Sequence, residues 1–179
     1  LIAAVDKFVI GDDYQYIKGG WINRNNFPNL FTFRLAKHSN YDQIKQCYFF
    51  NVEEDNKLFK RKTGLQAEKY LELLQQKYDI SSNISLTLRR ICDDLGISTP
   101  FFYSSDIPHR KFVGGLIDMV RALGGDTYVN LPGGRSLYSQ DQFGDIKLEF
   151  IDTVPGSSIL CSLVTQEKWA IEADLAAGL

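Results

Sequence analysis

Between about residue 82 and residue 151 the sequence changes its hydrophobic period three times, and that alternation limits the possible folds more than any other feature. Ile84, Leu88, Ile91 and Leu95 recur at helical spacing, with Ser81-Ser82-Asn83 as the cap before them and Gly96 as the stop after them. Thr99-Pro100-Phe101-Phe102-Tyr103 then reads as a buried strand ending at Ser104-Ser105-Asp106. A helix is predicted over 109–123, with Phe112, Leu116, Met119, Val120 and Leu123 facing inward and Gly124-Gly125 ending it. Strands are predicted at 126–130 and 146–151. Strands separated by helices are joined by crossovers, and crossovers make parallel pairs. The expectation is an α/β fold: a single domain over residues 1–179 with a mostly parallel sheet flanked by helices.

Size and composition agree with one globular unit. The chain has 179 residues, 44% of them apolar and 23% charged. Twelve Phe and nine Tyr predict a core or cleft built on rings. A net charge of −2 argues against a broad nucleic-acid surface. Cys47, Cys92 and Cys161 form no CxxC pair, which argues against a zinc ribbon or dithiol site. With His38 and His109 as the two histidines, no His-rich metal site is expected, and two acids, Asp12 and Asp13, are too few to assign one. Free thiols fit a reducing, cytoplasmic setting. No apolar run approaches the ~20 residues of a membrane span, and nothing reads as a signal peptide. Residues 1–5 read as the last turns of a helix, so a strand and loop carrying part of the site are expected ahead of them.

The rest of the chain is less regular. A strand is predicted at 7–11, and others at 29–35 and 43–50. Residues 56–77 have helical spacing, which Gly64 divides into two shorter helices. Lys57, Lys60, Arg61 and Lys62 read as a solvated helix face, and His38 as an exposed loop residue. Ser157-Ser158 is expected to cap a helix containing Ile159, Leu160, Leu163 and Val164, with a last helix over 167–177.

The stretch with most chemistry is 12–26. It holds Asp12, Asp13, Gln15, Lys18, Asn23, Arg24, Asn25 and Asn26, with Tyr14, Tyr16 and Trp21 threaded among them. Carboxylates accept protons, Arg forks onto carboxylate or phosphate, and amides both donate and accept. Asp12 and Asp13 fall where a strand ends, which is where open α/β sheets place ligands. A hairpin turning at Gly19-Gly20, with the polar residues as its wet face, explains part of the same pattern. A second candidate region is Asn130 with Gly133-Gly134 and Arg135, whose amides and charge suit an anion. It is not a P-loop, and a structural turn is the stronger reading of it taken alone.

In order, Asp6-x-Phe8-Val9, Asp12-Asp13-x-Gln15 and Lys18-x-x-Trp21-x-Asn23-Arg24-Asn25 resemble the WbqC-like family. So do Ser104-Ser105 after a strand, Arg121-Ala122-Leu123-Gly124-Gly125-Asp126-x-Tyr128, Pro132-Gly133-Gly134 and Ser158-Ile159-Leu160. Two features depart from the family pattern. The usual opening His-Gln-Pro-x-Tyr-x-Pro-Trp loop is not in this sequence, and Cys161 stands where an acid is usual.

The resemblance implies a cytoplasmic enzyme of O-antigen or other surface-polysaccharide biosynthesis. It would transfer a glycyl, aminoacyl or other acyl group from an activated donor to an amino sugar carried on a nucleotide. Asp12 or Asp13 would take the proton from the amine. Gln15, Lys18, Asn23, Arg24 and Asn25 would bind substrate, with Ser104. Asn130, Gly133 and Gly134 would face a developing oxyanion. A non-catalytic sugar-nucleotide-binding or scaffold protein of the assembly machinery is the alternative. No motif marks a protein-bound cofactor.

Overall fold

The computed structural model describes residues 1–27, 29–152 and 159–164. The strands are β1 (Phe8–Ile10), β2 (Arg24–Phe27), β3 (Asn29–Thr32), β4 (Phe101–Tyr103), β5 (Thr127–Asn130) and β6 (Lys147–Phe150). The helices are α1 (Val52–Thr63), α2 (Glu68–Leu71), α3 (Ile80–Asp94), α4 (Phe112–Ala122), α5 (Gln140–Phe143) and α6 (Ile159–Val164). The chain forms two compact units. The first comprises residues 1–11 and 99–155, the second residues 12–98 and 156–179. The chain therefore leaves the first unit after β1 and re-enters it just before β4.

The first unit carries the parallel pairing. β1 lies parallel to β4, with Phe8 opposite Phe101 and Ile10 opposite Tyr103. β5 lies parallel to β6, with Thr127 opposite Lys147 and Asn130 opposite Phe150. The α/β class and the parallel strands are as the sequence predicts, but the pairing is confined to two-stranded sheets of short strands. Phe143 and Ile146 are buried beneath β5 and β6, and the Phe143 ring stacks on Tyr128 at 5.3 Å. Gly124 takes φ +72°, a left-handed backbone that ends α4 as expected.

α4 begins later than the sequence suggests, and Phe112 does not face inward. It is 86% exposed and takes φ +59°. The cause is the loop before it. The Arg110 amide and Nε both donate to Asp118 Oδ2, at 3.0 and 2.8 Å, and Nη2 donates to Oδ1 at 2.8 Å. These bonds fold residues 109–111 back along the helix. They also hold the Asp118 carboxyl down at about 2.

The second unit is built on rings. Phe59 of α1 is fully buried, and its ring meets Phe27, Phe31 and Phe33 at centroid distances of 5.0, 5.2 and 6.1 Å. Phe27 and Phe31 come from the antiparallel pair β2–β3, in which Arg24 stands opposite Thr32. The hairpin thus lies at 24–32, after the Gly19-Gly20 turn. α1 has a capped start, since Asn51 Oδ1 accepts the Glu54 amide at 3.0 Å. Glu53, Glu54 and Asp55 fill its first turn and Lys60, Arg61 and Lys62 its last, which complements the helix dipole. Gly64 at φ +71° then separates α1 from α2, as its position predicted.

Two local expectations give way. α3 is capped by Asp79 instead of Ser81-Ser82-Asn83: its carboxylate accepts the Ser82 amide at 3.1 Å and the Ser82 hydroxyl at 2.6 Å. Asn83 is buried inside the helix, where it accepts the Gln75 amide at 2.7 Å and donates to the Tyr78 carbonyl at 2.9 Å. Residues 43–50 are not a full strand. Gln43 and Gln46 cap each other across a 3₁₀ turn at Ile44–Gln46, and beyond that turn the chain makes single bridges, Leu35 to Phe49 and Tyr48 to Asp79. The expected Ser157-Ser158 cap and the helix over 167–177 lie outside the described residues. No helix among the described residues is long and apolar enough to cross a membrane.

Because Phe59 joins helix and hairpin, Phe59→Ala is expected to destabilise the second unit by about 3–5 kcal/mol. Urea denaturation followed by circular dichroism measures this, and a loss near zero would show that the ring cluster does not hold the unit together.

Candidate functional site

The segment 12–26 begins two residues beyond the end of β1 and is pinned to residues 40–45 of its own unit. The Lys45 amide donates to the Asp12 carbonyl at 2.8 Å, the Ile44 amide to the Tyr14 carbonyl at 2.9 Å and the Tyr16 amide to the Asp42 carbonyl at 2.9 Å. Gln15 adds a side-chain bond from Nε2 to the Asn40 carbonyl at 2.7 Å. Asp12 is 4% exposed, whereas Asp13 is half-buried.

Tyr16 is buried, and burial pushes its hydroxyl pKa up. Its hydroxyl donates to Asn23 Oδ1 at 2.9 Å, and Asn23 Nδ2 donates to the Phe33 carbonyl at 2.7 Å. The Phe33 amide returns a bond to the Asn23 carbonyl at 2.8 Å. Both ends of the Asn23 amide therefore serve the fold. The sequence pattern singles out Asn23 by residue type and does not show where its amide points.

Between Tyr16 and Asn23 the chain makes one tight turn, closed by the Gly20 amide on the Ile17 carbonyl at 2.9 Å. Gly19 takes φ +77° there, and a Cβ on residue 20 would lie 2.9 Å from the Ile17 carbonyl oxygen. The two glycines are thus required by the turn. Arg24 Nη2 donates back to the Gly19 carbonyl. Its guanidinium carbon sits 5.1 Å from the centroid of the Trp21 ring. Lys18 is exposed in the same turn, and Asn25 Oδ1 accepts the Asn26 amide at 2.8 Å. His38 is half-buried rather than exposed as its loop position suggests, with its ring edge-on to Tyr16 at 4.9 Å.

The remaining candidates belong to the first unit. Ser104 is fully buried at the head of the 3₁₀ turn that leaves β4, one residue past the position paired with Ile10. Asn130 ends β5, and its Oδ1 accepts the Leu131 amide at 2.8 Å. The Gly134 amide donates to the Leu131 carbonyl at 2.9 Å, so it closes a turn. A Cβ there would lie 2.6 Å from Asn130 Nδ2, while Gly133 has open space. Seven candidates therefore sit in the second unit (Asp12, Asp13, Gln15, Lys18, Asn23, Arg24 and Asn25) and four in the first.

A cavity of about 170 Å³ opens elsewhere in the second unit, between α1 and α2, floored by Leu65, Ala67 and Leu71. None of the candidate residues lines it. Among the described residues no group of three or more His, Cys, Asp or Glu is placed to hold a metal ion.

A sequence model described as the WbqC-like protein family matches residues 1–156. The match covers most of the chain, and the chain belongs to that family. No curated protein and no solved structure matches it.

Replacing Asn23 by Ala strands the Tyr16 hydroxyl and the Phe33 carbonyl. Each lost partner is expected to cost about 1–3 kcal/mol. Adding Tyr16→Phe to that variant removes one stranded group and should recover part of the loss. A double-mutant cycle by chemical denaturation checks this, and strict additivity would contradict the bond.

Proposed function

We propose that this member of the WbqC-like family acts in surface-polysaccharide (O-antigen) biosynthesis as a transferase. It moves a glycyl, aminoacyl or other acyl group from an activated donor onto the amine of a nucleotide-linked amino sugar. The observation that carries the reading is the burial of Asp12, 4% exposed, at the head of a segment that also fixes Arg24 and presents Lys18. A side chain kept only for solubility has no reason to be withdrawn from water.

The chemistry needs a base and an anion clamp. A sugar ammonium must lose a proton before its nitrogen can attack, and the Asp12 carboxylate is assigned to accept it. The amine then forms the C–N bond to the activated carbonyl carbon. The bond to the donor's leaving group breaks, that group departs with the electron pair, and the amide nitrogen gives its second proton to the departing group. Lys18 and Arg24 hold the phosphates of the nucleotide. Gln15 and Asn25 orient the acceptor, and Asn23 holds the turn that places them. Asp13 is the alternative proton acceptor. The free buried thiols Cys47 and Cys92 suit a reducing cytoplasm.

Asp12→Asn is expected to lower kcat by about 10²–10⁴ while the nucleotide-linked sugar still binds. Mass spectrometry of the acceptor reads turnover, and calorimetry reads binding. Full activity in both Asp12→Asn and Asp13→Asn would refute the assignment of the base. Tight binding with no product from any aminoacyl or acyl donor would favour the non-catalytic sugar-nucleotide-binding reading.

A further inference from the structure

Trp21 is a large aromatic side chain that the second unit leaves outside its core. The indole is 64% exposed, and Ile17 and Ile22 beside it in the sequence are exposed as well. None of the three belongs to the aromatic core. Burying a large aromatic is strongly favourable, so a fold selected for stability alone would cover it. The second anomaly is Arg24, whose Nε is buried without a hydrogen-bond partner. An unmet buried donor costs about 1–3 kcal/mol, and more when it is charged.

The two anomalies belong to one arrangement. The turn at 17–20 sets the Gly19 carbonyl, that carbonyl anchors the guanidinium, and the guanidinium covers one face of the indole at 5.1 Å. The ring is therefore held in place with a cation behind it. Within four residues of Trp21 in the sequence lie the exposed apolar Ile17 and Ile22 and the exposed Lys18.

We propose that Trp21 stacks on the base of a nucleoside diphosphate while Arg24 and Lys18 take its phosphates, an inference that rests on the transferase reading above. A base offers a flat π face of the indole's own size, and stacking of this kind is worth about 1–3 kcal/mol per base. A pyranose would bring hydroxyls that need partners, and the apolar Ile17 and Ile22 add none to the Lys18 and Arg24 already assigned to phosphate. The nucleotide end of the substrate is thus assigned to Trp21, and the sugar end to the residues around Asp12.

The chain contains two tryptophans, so Trp169→Phe leaves Trp21 as the sole indole fluorophore. This variant is titrated with each common nucleoside diphosphate and with hexosamine 1-phosphate. Saturable quenching is expected with at least one nucleoside diphosphate and not with the sugar phosphate. Trp21→Leu keeps apolar bulk without a π face and should weaken that nucleotide's binding at least tenfold by calorimetry, or about 1.4 kcal/mol. Trp21→Phe should keep most of the affinity, and unchanged circular dichroism confirms that both variants fold. Quenching by hexosamine 1-phosphate instead, or equal affinity in Trp21→Leu, would overturn the base assignment and leave the transferase reading standing. Failure of the wild-type chain to bind any nucleoside diphosphate or nucleotide-linked amino sugar would overturn both.

Discussion

The buried relay from the Tyr16 hydroxyl through the Asn23 amide to the Phe33 carbonyl is the interaction on which the candidate site depends. Phe33 belongs to the ring cluster around Phe59, so the relay ties the polar segment directly to the buried core of the second unit. Tyr16 and Asn23 bracket the turn at 17–20, and once both are fixed that turn has little freedom. Its carbonyl then fixes Arg24, and Arg24 fixes Trp21. Order passes step by step from an apolar core to an exposed charged surface. A binding surface gains affinity when its groups are ordered before the ligand arrives.

The division of labour is visible in how polar groups are satisfied. Asp55, fully buried, accepts the Arg34 amide at 2.7 Å and its Nε at 2.6 Å. Asp94 takes the Tyr70 hydroxyl at 2.8 Å and pairs with Lys69, and these contacts lower its pKa although burial opposes them. Burial leads the causes that push the Tyr70 hydroxyl up to about 12. These charges serve the fold, and their demands are met within the chain. Arg24 and Trp21 are different, because one keeps a buried donor unmet and the other keeps a large ring in water. A local cost of this kind is expected where a surface is shaped for a guest.

Much of the architecture was legible in the residues, for reasons that can be named. Gly64, Gly96 and Gly124 all take left-handed backbones, so the helices end where a residue without Cβ was needed. The parallel direction of the pairs followed from strands separated by helices. What failed depended on competition between neighbours. Asp79 and Ser81-Ser82 are all good caps, and only the structure shows the serines donating to the aspartate. Phe112 looked apolar and inward, but the Arg110–Asp118 pairing decides where the helix begins. The passage of the chain from the first unit to the second after β1 has no mark in composition. Within 12–26, variety of chemistry singled out the segment. It could not separate Asn23, spent inside, from Trp21, displayed outside.

Hydrogen–deuterium exchange with and without a nucleotide-linked amino sugar tests whether residues 12–26 receive the substrate. Added protection is expected to concentrate in residues 12–26, with the amides around the turn at 17–20 slowed most. Protection confined to the cavity between α1 and α2, or no change anywhere in 12–26 at saturating ligand, would contradict that placement.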